Sequence, residues 1–244
     1  MPFHTFNLAF HVGDKKQNVL RNRAKLAQSF HLSPQHFATS NQVHGTLISI
    51  VGQAEKGSGA NDSLTALKES DAMITDQENI CLLIFIADCV PVLLYDCQKN
   101  IIGLIHAGWQ GTVGLLTQKT VYQMQSYWGC KAQDIISAIG PSIGPCCYQV
   151  GPEAISRVRK AYPKEDHLIH SISDTGKGYF NLWQANKIQL LNCGILEKNI
   201  EVARLCTYCH SDIFFSSRKD KGHTGRFSIG IMLKNKKAYN ISIY

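Results

Sequence analysis

Three apolar runs follow one another closely in the middle of the chain and predict three neighbouring strands. They are CLLIFIADC, VPVLLYD and IIGLIHAG, which begin at Cys81, Val90 and Ile101. Each run is short and rich in Ile, Val and Leu, without the polar alternation of a strand that has one face in water. We therefore expect all three strands to be buried on both faces.

Helical spacing of apolar positions alternates with further strand-like segments along the rest of the chain. A helix is predicted in HVGDKKQNVLRNRAKLAQSFHL with Asp14 as its N-cap, and another in NLWQANKIQLLNCG with Asn181 as its N-cap and Gly194 at its end. Two more helices are predicted in TVGLLTQKTVYQMQSYW and PEAISRVRKAY, and strands in TLISIVG, DIISAIG, RFSIGIML and AYNISIY. We expect an α/β (mixed α and β) fold, a single domain over residues 1–244 with a buried mixed sheet flanked by helices.

The composition indicates a protein with a sizeable core and no membrane partner. Of the 244 residues, 44% are hydrophobic and 18% are charged. No apolar run reaches the roughly 18 residues that a membrane helix needs. The first residues, MPFHTFNLAFHVGDKK, have neither a basic leader nor a cleavable apolar core. We therefore expect a cytoplasmic location.

The charge pattern does not indicate a nucleic-acid partner. The formal net charge is +7, but lysines and arginines are scattered apart from short runs such as RKDK and KNKK. We interpret the excess as a solvated basic surface. The alternative is a basic pocket for a substrate that carries or uses phosphate.

Two histidines and one cysteine lie at the ends of predicted strands. His44 precedes one strand, Cys89 follows a second and His106 ends a third. Two imidazoles and one thiolate form a three-ligand zinc set with an open position, where a metal makes a nucleophile of bound water. The competing interpretation is a nucleophilic Cys89, activated by one histidine and oriented by Asp88. The third is that the residues are unrelated.

The spacing of the other cysteines along the sequence does not predict a metal site. There are nine cysteines, an odd number, and without an export signal we expect no disulfide framework. The CTYC pair, Cys206 and Cys209, lacks a second pair at zinc-ribbon spacing, so we expect it not to bind metal. The vicinal Cys146 and Cys147 are interpreted as a packed turn. Four cysteines are expected to be inert core thiols: Cys81, Cys97, Cys130 and Cys193.

Several polar residues are candidates for substrate contacts. FFSSRKDKGHTGRFSIG places Arg218 and Arg226 around a glycine-containing turn, where two guanidiniums can grip a phosphate. Ordinary surface arginines are the alternative. Gln42 can supply hydrogen bonds and Trp109 a stacking face for a base. The sequence contains no His-X-His pair, which disfavours a multicopper laccase.

Seven motifs in order resemble the YfiH family, whose members have been described as laccase-domain proteins, purine nucleoside phosphorylases and a peptidoglycan editing factor. The motifs are HVGD…NR, NQVHG, ADCVPVLLYD, HAGWQG, IGPSIGPCCYQVG, LCT and FFSSRKD…TGR. The likeness runs from about Phe6 to Leu233. It implies a single YfiH-like (laccase-domain) catalytic domain with zinc held by His44, Cys89 and His106.

The resemblance also implies a zinc-dependent purine nucleoside phosphorylase acting on adenosine, inosine and S-methyl-5'-thioadenosine, with adenosine deaminase activity. The small-molecule partners are then a purine nucleoside and phosphate, for a monomer or weak oligomer. Catalytic roles fall to His44, Cys89, His106 and Asp88, and substrate or phosphate contacts to Arg218, Arg226, Gln42 and Trp109. Gln110 stands where the family usually has an arginine, which puts one anion contact in question.

Other functions remain open at this point. One is a peptidoglycan-precursor editing hydrolase, an amidase on mis-acylated UDP-MurNAc that uses Cys89 or zinc hydroxide. The others are a copper-dependent polyphenol oxidase, with copper as the second choice of metal after zinc, and a non-enzymatic metal-binding domain.

Overall fold

A six-stranded mixed sheet forms the centre of an α/β fold in the computed structural model, which describes residues 2–3, 6–234 and 241–243. Its strands, from edge to edge, are β11 (Ile200–Val202), β7 (Ile135–Ile139), β5 (Val90–Asp96), β6 (Ile101–Ala107), β3 (Ala72–Thr75) and β2 (Ile48–Ile50). The central strand β5 runs antiparallel to both β6 and β7, and β6 runs antiparallel to β3. The outer strands β2 and β11 are parallel to their neighbours.

A second sheet packs against one face of the first. Its strands, in spatial order, are β1 (Phe37–Thr39), β4 (Cys81–Ile86), β12 (Phe227–Leu233) and β13 (Ile241–Ile243). β4 is parallel to β1 and antiparallel to β12. A small third sheet contains β8 (Gln149–Val150), β10 (Gly178–Phe180) and β9 (Ile169–His170).

Helices cover the two outer faces. They are α1 (Lys16–Ser29), α2 (Trp109–Val113), α3 (Leu116–Trp128), α4 (Pro152–Ala161) and α5 (Leu182–Asn192). α1 joins the core on the outer face of the four-stranded sheet, and α3 and α5 join the core on the outer face of the six-stranded sheet. Among the described residues, no helix has the length and apolar character to cross a membrane.

The strands predicted to be buried on both faces are so buried. Along β4, Leu82 and Ile84 face the core between the two sheets, whereas Leu83 and Phe85 face the core beneath α1. β5 and β6 are buried at every position as well. Alternate residues enter two different cores, which explains why the sequence shows no polar alternation.

A buried arginine joins α1 to the four-stranded sheet. Arg23 is only 2% exposed, and its guanidinium donates to the carbonyl oxygens of Leu8, Gly59 and Ala60 at 2.6–2.9 Å. Its Cζ atom lies 4.5 Å from the ring centroid of Phe85. The hydrogen bonds and the ring contact offset the free-energy cost of removing the charged guanidinium from water.

Some predicted boundaries differ from the structure. The helix predicted over residues 112–128 is two helices, because Gly114 follows α2 and Leu115 adopts a left-handed φ of 59°. The N-cap of α1 is Lys15 rather than Asp14, whose carboxylate accepts the Lys15 N–H at 2.7 Å. The Asn181 cap is confirmed, since its side chain accepts the Gln184 N–H at 3.0 Å.

Several short strands were not predicted from the sequence, and the predicted burial of one cysteine is wrong. β1, β3 and β8 to β11 have two to four residues each, too few to show a period in the sequence. Cys97 is exposed instead of buried, whereas Cys81, Cys130 and Cys193 are buried as predicted. Of the predicted strand AYNISIY, residues 241–243 form β13, and residues 238–240 and 244 lie outside the described residues.

Candidate active site

Antiparallel pairing brings two of the predicted metal ligands to the same end of two inner strands of the six-stranded sheet. His106 lies at the end of β6, opposite Pro91 of β5, and Cys89 immediately precedes β5. His44 comes from the segment before β2, on the other side of β3 and β6. Its backbone has a left-handed φ of 61°, a conformation that needs support from its surroundings.

The three predicted ligands converge. The ligating atoms of His44, Cys89 and His106 all lie within 4.8 Å of one another. The two imidazole ring centroids are 4.9 Å apart, with the ring planes at 73°. His106 is buried, Cys89 is half-buried and His44 is exposed, so the set is open on one side. Two nitrogen donors and one sulfur donor with one open side fit a catalytic zinc ion.

Asp71 holds His106 and the backbone around His44 in place. The sequence patterns did not predict this role. Its fully buried carboxylate accepts the backbone N–H groups of Val43, His44 and Gly45 at 3.2, 3.0 and 2.7 Å. It also accepts a hydrogen bond from Nδ1 of His106 at 2.8 Å, which leaves Nε2 of that ring to bind a metal. The available signal was an aspartate directly before the apolar AMIT segment.

Electrostatics favour a thiolate at Cys89. Burial raises the pKa of this thiol, but the charge and hydrogen bonds of His106 and His44 outweigh burial and lower it to about 6. Burial lowers the pKa of His106, but the Cys89 thiolate and the Asp71 carboxylate raise it to about 9. The thiolate is the form of cysteine that binds metals and acts as a nucleophile.

Asp88 lies in the cleft, but its carboxylate supports a loop. Its Oδ1 accepts from the hydroxyl of Thr207 at 2.6 Å, and its Oδ2 accepts the backbone N–H of Arg218 at 2.6 Å. Asp88 has a left-handed φ of 87°. The structure therefore gives Asp88 contacts that position the Arg218 loop, rather than a contact that orients a histidine toward Cys89.

A cleft of about 520 Å³ opens in front of the three ligands. Its predicted lining residues are Gln42, His44, Asp88, Cys89, His106, Arg218 and Arg226. Its other lining residues, which the sequence did not single out, are His11, Phe85, Ala87, Tyr148, Ser217 and Lys221. Among all the residues that line the cleft, three carry a positive charge: Arg218, Lys221 and Arg226. The cleft therefore suits an anionic ligand.

Both predicted arginines are anchored through one terminal nitrogen. Nη1 of Arg226 donates to the carbonyl oxygens of Thr224 and Gly225 at 3.0 and 2.9 Å. Nη1 of Arg218 donates to the carbonyl oxygen of Gln149 at 2.8 Å, and its Cζ lies 5.0 Å from the ring centroid of Tyr148. Each guanidinium has further N–H groups to offer an anion.

The backbone of Arg226 is fixed by residues about 219 positions earlier in the sequence. The Arg226 N–H donates to the side-chain oxygen of Asn7 at 2.9 Å, and its carbonyl accepts from the Leu8 N–H at 3.0 Å. The N-terminal segment therefore helps to hold this arginine beside the cleft.

Of the two residues predicted to contact a base, Gln42 lines the cleft and Trp109 does not. The Gln42 side chain lines the cleft, but its amide donates to the carbonyl of Phe85 at 2.9 Å and accepts the Phe85 N–H at 2.8 Å. Trp109 is not among the residues that line the cleft, and its ring centroid lies 5.1 Å from Cζ of Arg157. The Trp109 ring lies toward Arg157 of α4, so the structure does not bring it beside the three ligands.

Comparison with known proteins identifies the family. Residues 1–234 match the family described as "Multi-copper polyphenol oxidoreductase laccase". The chain belongs to this laccase family.

Relatives and a solved structure agree with that assignment. Purine nucleoside phosphorylase YlmD of Geobacillus stearothermophilus is 37% identical over 225 residues, which cover 92% of this chain and 82% of that protein. Adenosine deaminase RL5, from an unknown prokaryotic organism, is 31% identical over 228 residues, which cover 93% and 87%. The crystal structure of Bacillus licheniformis hypothetical protein YfiH is 37% identical with a TM-score of 0.93, covering 96% of this chain and 87% of that one. The YfiH resemblance and the mixed α/β fold are confirmed.

This laccase-family chain also contains a second group of convergent metal-binding side chains. Ligating atoms of Cys146, Cys147, Cys206 and Cys209 all lie within 4.8 Å of one another. The sequence has no second pair at zinc-ribbon spacing, as expected, but a second pair of cysteines lies beside CTYC in space. The second pair is the vicinal one, in a distant part of the sequence, which zinc-ribbon spacing does not include.

Proposed function

We propose that this protein is a zinc-dependent purine nucleoside phosphorylase that acts on adenosine, inosine and S-methyl-5'-thioadenosine and also deaminates adenosine. The observation that carries the proposal is the convergence of His44, Cys89 and His106 at the base of a cleft with cationic walls. The names of the YlmD and RL5 relatives support this pair of reactions.

Zinc suits the donor set better than copper. Two imidazoles and one thiolate with an open side are typical of catalytic zinc sites. When bound, zinc supplies Lewis-acid polarisation of an oxygen nucleophile. The sequence contains no His-X-His pair of the kind that multicopper centres use, although the family description mentions copper.

The cationic residues suit phosphate, which phosphorolysis requires as a co-substrate. Arg218, Lys221 and Arg226 line the same cleft as the metal ligands. Guanidinium groups bind phosphate oxygens through paired, charge-assisted hydrogen bonds. A phosphate held there is positioned for attack of one oxygen on the anomeric carbon of the ribose, while the bond to the purine nitrogen breaks.

The aromatic residues suit the nucleoside. Phe85 and Tyr148 line the cleft and offer apolar faces to a purine ring. Phe85 is held on its backbone by the Gln42 amide, and Cζ of Arg23 lies 4.5 Å from its ring centroid. The base would then lie near residues that the surrounding structure keeps in position.

Product analysis tests the proposal. Zinc-loaded protein is incubated with adenosine, with and without phosphate, and the products are separated by chromatography. We expect adenine and ribose 1-phosphate with phosphate, and inosine without it. Cys89→Ala should abolish both reactions, whereas Cys97→Ser, at an exposed thiol that does not line the cleft, should retain both. Zinc-loaded protein that leaves adenosine unchanged under both conditions would refute the assignment.

Two further incubations separate the alternative functions. A mis-acylated UDP-muramoyl precursor tests the editing amidase, and a phenolic substrate with copper and oxygen tests the polyphenol oxidase. Turnover of either substrate together with inertness toward nucleosides would transfer the assignment to that activity. No turnover of any substrate, with metal bound, would favour a non-enzymatic metal-binding domain.

A further inference from the structure

Two loops beside the cleft bring together four cysteine sulfurs that do not line it. Cys146 and Cys147 lie between β7 and β8, and Cys206 and Cys209 lie between β11 and β12. The Sγ atom of Cys209 is 3.7 Å from that of Cys146 and 3.4 Å from that of Cys147. All four sulfurs lie within 4.8 Å of one another.

These separations match a single tetrahedral metal ion. Zinc–sulfur bonds of about 2.3 Å place the sulfurs of a tetrahedral four-cysteine site about 3.8 Å apart. Thiolates this close repel one another unless a cation lies between them. Four thiolates in a tetrahedron select zinc or iron–sulfur chemistry, and a cluster of several irons would hold its cysteines farther apart.

The backbone around the four sulfurs is built for close approach. The Ser142 N–H donates to the carbonyl of Leu205 at 3.2 Å, and the Thr207 N–H donates to the carbonyl of Ser142 at 3.1 Å. These two bonds pair the loops directly beside the cysteines. A Cβ atom at Gly144 would lie 2.8 Å from Cη2 of Trp183 and 3.1 Å from Cβ of Cys206, so the absence of a side chain at Gly144 lets the two loops approach closely.

One cysteine is supported as a thiolate by a backbone donor. The Gly144 N–H points at Sγ of Cys206 over 3.2 Å. Hydrogen bonds from backbone N–H groups to coordinating sulfurs stabilise the charged form that a metal needs.

We infer that Cys146, Cys147, Cys206 and Cys209 bind a structural zinc ion, separate from the ion in the cleft. The coordination is complete with four thiolates, which leaves no position for water and is typical of a structural site. A vicinal pair and a Cys-X-X-Cys pair, each from its own loop, supply the ligands.

This ion would support the cleft from behind. Cys147 is followed by Tyr148, which lines the cleft and contacts the guanidinium of Arg218. Cys206 is followed by Thr207, whose hydroxyl donates to the Asp88 carboxylate that holds the Arg218 N–H. The zinc would therefore join the two loops on which the position of Arg218 depends.

Zinc content and X-ray absorption of the purified protein test the inference without any substrate. Protein is prepared from zinc-supplied cells under reducing conditions without chelators, and metals are measured by mass spectrometry. We expect two zinc ions per chain. We expect one in the double variant His44→Ala/Cys89→Ala, one in Cys206→Ser/Cys209→Ser, and two in the control Cys97→Ser.

The absorption edge gives the ligand type even if a variant fails to fold. In the unmodified protein, we expect between two and three sulfur ligands per zinc on average, at about 2.3 Å. In His44→Ala/Cys89→Ala we expect four sulfurs and no nitrogen around the remaining zinc.

Three results would overturn the inference. One is a single zinc per chain that has one sulfur ligand and is lost in His44→Ala/Cys89→Ala. Another is a disulfide among the four cysteines, detected by mass after alkylation without reductant. The third is iron with iron–sulfur absorption in place of the second zinc. Each is read independently of nucleoside turnover, so failure of the proposed function and failure of this site remain distinguishable.

Discussion

Nδ1 of His106 donates a hydrogen bond to Oδ1 of Asp71 over 2.8 Å, and both side chains are buried. The same carboxylate accepts three successive backbone N–H groups, from Val43, His44 and Gly45. One carboxylate thus fixes the ring orientation of one metal ligand and the left-handed backbone of another. The geometry of the metal centre depends on a residue that does not itself bind the metal.

Asp71→Asn should weaken zinc binding at the cleft by about 10–100-fold, the usual effect of losing a partner behind a ligating histidine. The amide loses the negative charge opposite His106 and one acceptor for the N–H groups of residues 43–45. Competition with a coloured chelator measures the dissociation constant. Asp76→Asn, at an exposed aspartate five positions along, is the control and should bind zinc normally. Equal affinities for the two variants would contradict this role.

Gly108→Ala should also weaken zinc binding, by steric crowding of the ligands rather than by a change of charge. A Cβ atom there would lie 2.9 Å from Cδ2 of His44 and 3.2 Å from Sγ of Cys89. Overpacking of this kind costs about 1–3 kcal/mol, which corresponds to roughly a five- to 150-fold loss of affinity.

Gly151 offers a matched control for Gly108. Both glycines are helix N-caps with extended backbone, φ −66° at Gly108 and −86° at Gly151, but a Cβ at Gly151 meets nothing within 4 Å. Gly151→Ala should leave zinc affinity unchanged. A similar loss in both variants would show that the effect comes from capping and not from crowding of the ligands.

In zinc-free protein, Cys89 should ionise with a midpoint near pH 6, because burial is outweighed by His106 and His44 and its pKa is lowered to about 6. Above this pH the Cys89 side chain is a thiolate, and below it the side chain is a protonated thiol. Alkylation by iodoacetamide, followed by peptide mass spectrometry across pH, measures the midpoint. Zinc should block the alkylation. An ordinary thiol midpoint, well above neutral pH, would contradict the predicted environment.

Arg226→Ala and Arg218→Ala should each damage phosphorolysis more than deamination, since only phosphorolysis requires bound phosphate. Loss of one charge-assisted contact, about 1.5–3 kcal/mol, should raise the apparent KM for phosphate roughly ten- to a hundredfold. Steady-state rates of both reactions measure the split. Arg157→Ala, at a residue that contacts Trp109 and does not line the cleft, is the control. Equal losses of the two activities would make the cleft arginines structural.

The sequence predicted those features that depend on residue type and local period. The long apolar runs at Cys81, Val90 and Ile101 became β4, β5 and β6, because burial of both strand faces leaves an unbroken apolar pattern. Histidines and a cysteine at strand ends predicted ligands that do converge, since the sheet brings strand ends together.

The features that the sequence did not predict depend on contacts between distant segments. Asp71 serves His44 and His106 from 27 and 35 positions away, and the four cysteines pair across 62 or 63 positions. Trp109 follows the predicted ligand His106 closely, yet helix α2 carries its ring away from the cleft. Spacing along a chain does not show which loops fold against each other.

The hydrogen bonds between Leu8, Asn7 and Arg226 have a consequence for synthesis of the protein on the ribosome. The nascent chain releases His44, Cys89 and His106 long before Arg226 and the following strand β12 emerge. Until then β4 lacks its antiparallel neighbour, and an unpaired apolar strand edge is prone to associate with other chains. Translation must therefore pass Arg226 and β12 before the cleft is complete and this edge of β4 is protected.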